Sequence, residues 1–379
     1  MAIYEQVATT LKGLEEVLAD EIFELGGQEI EVLKRAVRYN GSDEILYKAN
    51  LKLRTALRVL VPIYSFIAEN EHDLYREIHE YPWENLMDNR NTFAIDAIVS
   101  GTTFTHSQYV ALKTKDGIVD RFRNKTGERP SIDTKNPDLK INIHVNRQEI
   151  SVSLDSTGIS LDRRGYRTNA NEAPINEALA AGIILLSGWD KKAPFLDPMA
   201  GSGTFSIEAA YIAANIPPGI NRSFAFERWP DFNERLFDRV YDELKNQIVD
   251  PECKFFCSDI TTESLGIIAN NASNAGVEEY IQVKEEDFFE SSPSTENGFL
   301  FLNPPYGERL SLDNIKDFYE RIGDTLKQRY AGFEAWIISS DHVALKVLGL
   351  RADKKIDLMN GGLDARLQQY KMFEGRMEE

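Results

Sequence analysis

Five short apolar runs in the second half of the chain alternate with segments of helical periodicity. They are Phe195-Leu196, Lys254 to Cys257, Ile281 to Lys284, Phe299 to Leu302 and Ala335 to Ile338. Two of the intervening helices are Leu265 to Ala275, stopped by Gly276, and Ile315 to Leu326, striped by Ile315, Phe318, Ile322 and Leu326. Strands this short and apolar are buried on both faces, which demands helices above and below. The pattern predicts a mostly parallel α/β sheet. Pro174 suits the first turn of a leading helix with Ile175, Leu179, Ile183 and Leu186 on one stripe. Gly361-Gly362 followed by Leu367 to Phe373 suits a closing hairpin.

The front half reads differently. Ile3 to Val7 predicts a strand. Leu11, Leu14, Leu18, Ile22 and Leu25 predict a helix stopped by Gly26-Gly27. Ile30 to Val32 and Ala36 to Tyr39 alternate as strands, Asn40-Gly41 predicts a turn, and Leu53, Ala56, Leu57 and Leu60 suggest a second helix. Beyond residue 65, Leu74 and Ile78 predict a short helix ended by Pro82, and Phe93, Ile95, Ala97 and Val99 a half-buried strand. Tyr109 to Val119 predicts a helix with Val110, Leu112 and Ile118 apolar and Lys113 and Lys115 exposed. Ile141 to Val145 and Ile150 to Leu154 alternate around Asn146-Arg147, a hairpin signal. A polar connector between 160 and 172 divides this α+β half from the later βα units.

Charge divides the chain the same way. The net charge is -18, yet residues 111–170 hold 12 basic and 8 acidic side chains, whereas 1–110 hold 10 and 18 and 171–379 hold 21 and 35. A basic module on an acidic background suits an RNA-docking surface confined to one part of the molecule. Its cations are Lys113, Lys115, Arg121, Arg123, Lys125 and Arg129, then Arg163, Arg164 and Arg167. Cys253 and Cys257 are the only cysteines and the five histidines are dispersed, so neither a disulfide framework nor a metal site is expected. No apolar stretch nears the roughly 18–20 residues of a membrane span, and no signal-peptide layout opens the chain. A cytoplasmic location without membrane attachment is the expectation.

Two motifs carry chemistry. Asp197-Pro198-Met199-Ala200-Gly201-Ser202-Gly203-Thr204 lies between an apolar run and a helix. Its glycines allow a tight turn against a ligand, and the helix start offers free N–H groups to a carboxylate. The dinucleotide fingerprint is absent, since Ser206 stands where its third glycine belongs, and no Lys follows as in a triphosphate loop. The second motif, Asn303-Pro304-Pro305-Tyr306-Gly307, directly follows the run Phe299 to Leu302. Its prolines stiffen the backbone, so the Asn303 amide oxygen and the Pro304 carbonyl can accept both hydrogens of an exocyclic amine while Tyr306 stacks on the base.

Together the motifs resemble class I S-adenosylmethionine-dependent methyltransferases of exocyclic amino nitrogens. Asn303 to Leu310 is similar to bacterial enzymes that make N2-methylguanine in 23S ribosomal RNA, proteins often labelled N6-adenine-specific DNA methylases. Upstream, Ser107 to Tyr109, Arg121 to Arg129 and Asp162 to Tyr166 look like a THUMP RNA-binding domain, and the first sixty residues like its ferredoxin-like companion. The resemblance implies a ferredoxin-like unit over 1–65, a THUMP domain over 66–165 and a Rossmann-like methyltransferase domain over 172–379. It implies S-adenosylmethionine as cofactor and RNA as partner, 23S rRNA or a large-subunit assembly intermediate. Asp197, Pro198, Ala200, Gly201, Gly203 and Thr204 would form the cofactor loop. Asp259, with Ile260 beside it, would accept from the ribose hydroxyls, and Asp287 would contact the adenine amine with Phe288 against the ring. Thr261 stands where the family often has a second acid. Asn303, Pro304, Pro305 and Tyr306 would carry catalysis. The 62 positions between Asp197 and Asp259 exceed one helix, and the added Phe224, Phe226, Arg228 and Trp229 could flank the target base or pack as an insertion. An N6-adenine methyltransferase, a tRNA guanine methyltransferase and a non-catalytic assembly factor are the competing readings.

Overall fold

The computed structural model describes residues 2–101, 103–167, 174–305 and 312–373. The front half builds one sheet from β1 (Tyr4–Thr10), β2 (Gln28–Leu33), β3 (Ala36–Gly41), β4 (Ala56–Ile67), β5 (Thr92–Ser100), β6 (Ser131–Ile132), β7 (Leu139–Asn146) and β8 (Glu149–Asp155). Its spatial order is β2-β3-β1-β4-β8-β7-β5-β6. Helices α1 (Glu15–Glu24), α2 (Asp43–Lys52), α3 (Glu71–Glu80) and α4 (Ser107–Thr126) cover it. Helix α1 buries Leu18 and Ile22 and stops at Gly26, whose φ is +92°. At Gly27 a Cβ would lie 2.4 Å from Ile22 Cγ2, so the chain passes too close to admit one.

Several expectations are corrected here. Leu53 to Leu60 is not a helix. Its residues enter β4, because Val59, Val61 and Ile63 favour an extended chain and Pro62 bars a helix interior. The strand accommodates Pro62 at a register shift against β8. The helix of this region is α2, which buries Leu46, Tyr47, Ala49 and Leu51. Asn40-Gly41 are not a turn but the end of β3, and the β2–β3 turn falls at Lys34-Arg35, with Arg35 at φ +59°. The β7–β8 turn is Arg147-Gln148, one residue later than expected. Helix α4 outruns 109–119, and Leu112 on it is 49% exposed rather than part of a buried stripe. Strand β4 passes through residue 65 and pairs with β1 on one side and β8 on the other, so the two front units share a single sheet.

The second half forms a seven-stranded sheet from β9 (Phe195–Asp197), β10 (Phe255–Asp259), β11 (Ile281–Glu285), β12 (Gly298–Leu302), β13 (Phe333–Ser339), β14 (Lys354–Asn360) and β15 (Leu363–Lys371). The order is β11-β10-β9-β12-β13-β15-β14, parallel except for the terminal hairpin, whose turn is Gly361-Gly362. Its helices are α5 (Glu177–Ser187), α6 (Thr204–Ala213), α7 (Glu234–Lys245), α8 (Thr262–Ala275), α9 (Leu312–Arg329) and α10 (Ala344–Val347). Asn176 caps α5 by accepting from the Leu179 N–H at 3.2 Å, so Pro174 lies before the helix rather than in its first turn. One apolar cluster joins α5, α6 and α8, and another joins α9 and α10, on opposite faces. Strand order reverses between β9 and β12, which opens a crevice at their carboxyl ends.

The added stretch after α6 packs as an insertion. Phe224, Phe226 and α7 share an apolar cluster with α2, and the Phe226 ring stacks on Tyr47 at 4.7 Å. It therefore joins the two halves, and its buried Phe224 and Phe226 are not free to stack on a base. Arg54 strengthens the junction by donating to the Tyr211 and Ile216 carbonyls at 3.1 and 3.0 Å.

Candidate active site

The crevice holds a cavity of about 470 Å³ lined by residues from both motifs, including Asp197, Pro198, Ala200, Gly201, Thr204, Asp259, Ile260, Asp287, Phe288, Asn303 and Pro305. The glycine loop is braced from four sides. The Gly201 N–H donates to Asp259 Oδ2 at 2.9 Å, and Asn271 Nδ2 donates to the Ser202 carbonyl at 3.0 Å. Arg167 donates to Thr204 Oγ1 at 2.8 Å, and Ser206 donates through both N–H and Oγ to Asp197 Oδ2. Gly201 and Gly203 sit at φ +56° and +76°. A Cβ on Gly203 would press within 3.1 Å of Ile268 Cγ2. Gly203 contributes shape, since only glycine adopts that turn without strain.

Asp197 is buried and serves the loop from behind. Burial raises its carboxyl to about 7, against the two Ser206 bonds, and nearby Asp259 adds to the rise. Asp259 ends β10 at the cavity wall, where its Oδ1 also accepts from the Thr261 N–H at 3.2 Å. Thr261 itself caps α8 by accepting from the Ser264 N–H. Asp287 lies beyond β11 and accepts from the Phe289 N–H at 2.9 Å. Phe288 touches the cavity while its ring stacks on Tyr330 at 5.5 Å. Phe289, Phe318 and Arg321 complete that side. Sequence reading missed them, although Phe318 and Arg321 stand one helical turn apart on α9.

Asn303 follows β12, whose Leu300, Phe301 and Leu302 are fully buried. Its Oδ1 is shielded from solvent and has no hydrogen-bond partner among the described residues, an acceptor set in the cavity wall. Such an atom costs stability unless a ligand donor completes it. Pro304 is buried and Pro305 faces the cavity. The expectation for Tyr306 lies outside the described residues.

The expected cations do not form one surface. Arg164 is corrected outright. Its side chain is 1% exposed, paired with Glu208 at 3.3 Å, and it cannot reach a nucleic acid. Arg167 is half-buried, donates through Nη2 to the Ile175 carbonyl and Thr204, and pairs with Glu177 at 3.6 Å. Arg121 bonds both Glu84 oxygens at 2.7 Å and the carbonyls of His79 and Glu80 at 2.9 Å, so it clamps α4 to the segment after α3. Lys113 lies over the Tyr75 ring, and Lys115 pairs with Asp116. Arg123, Lys125, Arg129 and Arg163 remain exposed, the first two beside Asp120 and Glu84.

A parallel sheet with a glycine-turned loop after its first strand, acids ending the next two and Asn-Pro-Pro after the fourth defines a class I methyltransferase. The comparisons give the particular family. A model of the RMKL-like methyltransferase domain matches residues 164–369, a THUMP domain model matches 68–155, and an RlmL ferredoxin-like domain model matches 5–60. The chain belongs to this RMKL-like family of THUMP-domain, S-adenosylmethionine-dependent RNA methyltransferases. It is 35% identical over 369 residues to slr0064 of Synechocystis sp., whose name places it among RNA methyltransferases; the match covers 97% of this chain and 96% of that protein. It is 36% identical to the ribosomal RNA large subunit methyltransferase K/L of Shewanella frigidimarina, over 96% of this chain and 52% of the relative. The chain thus spans about half the length of the K/L relatives it matches. The crystal structure of SMU.472 complexed with SAH superposes with a TM-score of 0.89 at 33% identity, covering 99% of this chain and 100% of that one. No helix among the described residues is long and apolar enough to cross a membrane.

Proposed function

We propose that the protein methylates the exocyclic N2 amine of a guanine in 23S rRNA, presented on free RNA or a large-subunit assembly intermediate. The observation that carries this reading is the buried Asn303 Oδ1, unpartnered among the described residues, on a wall shared with Gly201 and Asp259. The cavity suits S-adenosylmethionine. Gly201 to Thr204 would hold its methionine end, Asp259 its ribose hydroxyls, and Asp287, Ile260 and Phe288 its adenine. The bound cofactor supplies a sulfonium methyl, already electrophilic, so the protein has chiefly to align it with a nitrogen.

Asn303 Oδ1 would accept one amine hydrogen and the Pro304 carbonyl the other. Both bonds strengthen as the nitrogen gains positive charge, which favours the transition state over the resting amine. The adjoining prolines hold these acceptors in place beforehand. The base must leave its stack, and Tyr306 would offset part of that cost, a few kcal/mol. The exposed Arg123, Lys125, Arg129 and Arg163 would position phosphates without reading sequence. Similarity to the K/L proteins supports the ribosomal target.

A nucleoside digest of 23S rRNA from cells lacking the gene tests the reading by mass spectrometry. One N2-methylguanosine should disappear and return on complementation. Loss of N6-methyladenosine with N2-methylguanosine unchanged would establish the adenine alternative instead.

A further inference from the structure

We propose that Arg321 is a positioning residue for an RNA phosphate at the mouth of the methyl-transfer cavity, an inference that rests on the RNA substrate proposed above. Its guanidinium lies 3.9 Å from the centroid of the Phe289 ring, and Phe318 meets that ring edge-on at 5.2 Å. Asp317 and Asp324 stand one turn away on α9, the spacing at which helical ion pairs form. Arg321 forms a salt bridge with neither, and Lys327 takes Asp324 at 3.2 Å. The side chain is exposed with its guanidinium over an aromatic face, a contact that does not use its N–H donors.

The charge around it says what those donors meet. Asp259, Glu286 and Asp287 line the same cavity, and Arg321 is the one Lys or Arg among its described lining residues. Carboxylates suit a cofactor that carries a sulfonium and an ammonium. They repel a polyanion. The cofactor's own carboxylate is served by the N–H groups at the start of α6, after β9. Phe289 follows β11, two strands away across the sheet. The one cation among the described lining residues, on the β11 side, therefore answers the substrate's backbone and fixes the strand that carries the target base.

Arg321→Met tests this, because methionine still covers Phe289 while the charge is lost. Wild type and variant are titrated with 23S rRNA from cells lacking the gene, across roughly 50–200 mM salt. The variant should bind the RNA severalfold more weakly, with a salt slope smaller by roughly one unit. Its affinity for S-adenosylmethionine, read by calorimetry, should equal that of wild type, and Arg321→Lys should recover part of the slope. Unchanged RNA affinity and slope in Arg321→Met, or a loss of cofactor affinity in their place, would overturn the inference alone. Failure of the wild-type protein to bind this RNA would overturn the proposed function as well.

Discussion

Arg164 of the connector and Glu208 of α6 face each other at 3.3 Å with side chains 1% and 0% exposed. Tyr166 donates its hydroxyl to the same carboxylate at 3.1 Å, and Arg164 also donates to the Arg54 carbonyl in the front half. Helix α6 begins at the glycine loop of the cavity, so one buried carboxylate ties the RNA-type half to the element that shapes the cavity. Glu208→Ala leaves a buried guanidinium without its counter-charge and should cost about 3–5 kcal/mol of stability. Urea unfolding measures this, and an unchanged midpoint would show that the pair carries no net weight.

Asn303→Ala should reduce methyl transfer ~100-fold or more, the scale of losing one hydrogen-bonding group that acts in the transition state. Because the lost acceptor is the one proposed for the substrate amine, S-adenosylmethionine affinity should stay near wild type. Single-turnover rates with calorimetry separate the two effects. Wild-type turnover would remove Asn303 from its role.

Gly203→Ala places a Cβ 3.1 Å from Ile268 Cγ2 on a backbone at φ +76°. The left-handed conformation alone costs an L-residue roughly 1–2 kcal/mol. Cofactor affinity should fall with stability, since the strain is relieved by shifting the loop that forms the cavity floor. A melting temperature lowered while cofactor affinity holds would place the strain elsewhere.

Periodicity was a good guide where one neighbour dominates burial. The parallel strands, α8, α9 and the terminal hairpin were all legible, because each buries a face within its own layer. That Gly201, Asp259 and Asn303 line one cavity was legible, since they stand next to strand ends in sequence as in space. What escaped depends on contacts between distant segments. Leu53 to Leu60 shows helical spacing, yet β4 lies between β1 and β8, and that pairing outweighs the local pattern. Arg164 reads as surface charge until Glu208, 44 residues later, is seen opposite it. A charge inside the apolar run Ile207 to Ala210 was the available hint.

Arg121 and Arg129 are neighbours in one basic run and should behave differently. Arg121 satisfies Glu84 and two backbone carbonyls, and it holds the Glu84 carboxyl well below the usual range, with Lys125 assisting. Arg121→Ala should lower stability by about 1–2 kcal/mol. Arg129 is exposed and has no ion pair among the described residues, so Arg129→Ala should weaken RNA binding and leave the melting temperature alone. Melting curves beside filter binding separate the roles. Equal effects from both variants on RNA affinity, without a change in melting, would return Arg121 to the docking surface.

Two buried carboxyls make stability depend on pH with an unusual sign. Burial raises Asp197 to about 7, with Asp259 adding to the rise, and it raises Glu177 to about 7 against the pull of Arg167. Unfolded, both titrate near their ordinary values of about 4. Between about pH 4 and about pH 7 the folded chain therefore holds protons that the unfolded chain has released. These groups then make stability fall as pH rises through that window and level off above it. Each contributes at most about 1.4 kcal/mol per pH unit. Asp197→Asn keeps an oxygen for the Ser206 donors and cannot ionise, so it should flatten part of the decline. Urea midpoints from about pH 5 to about pH 8 check this, and identical slopes in both proteins would mean that Asp197 is ionised in the folded chain throughout.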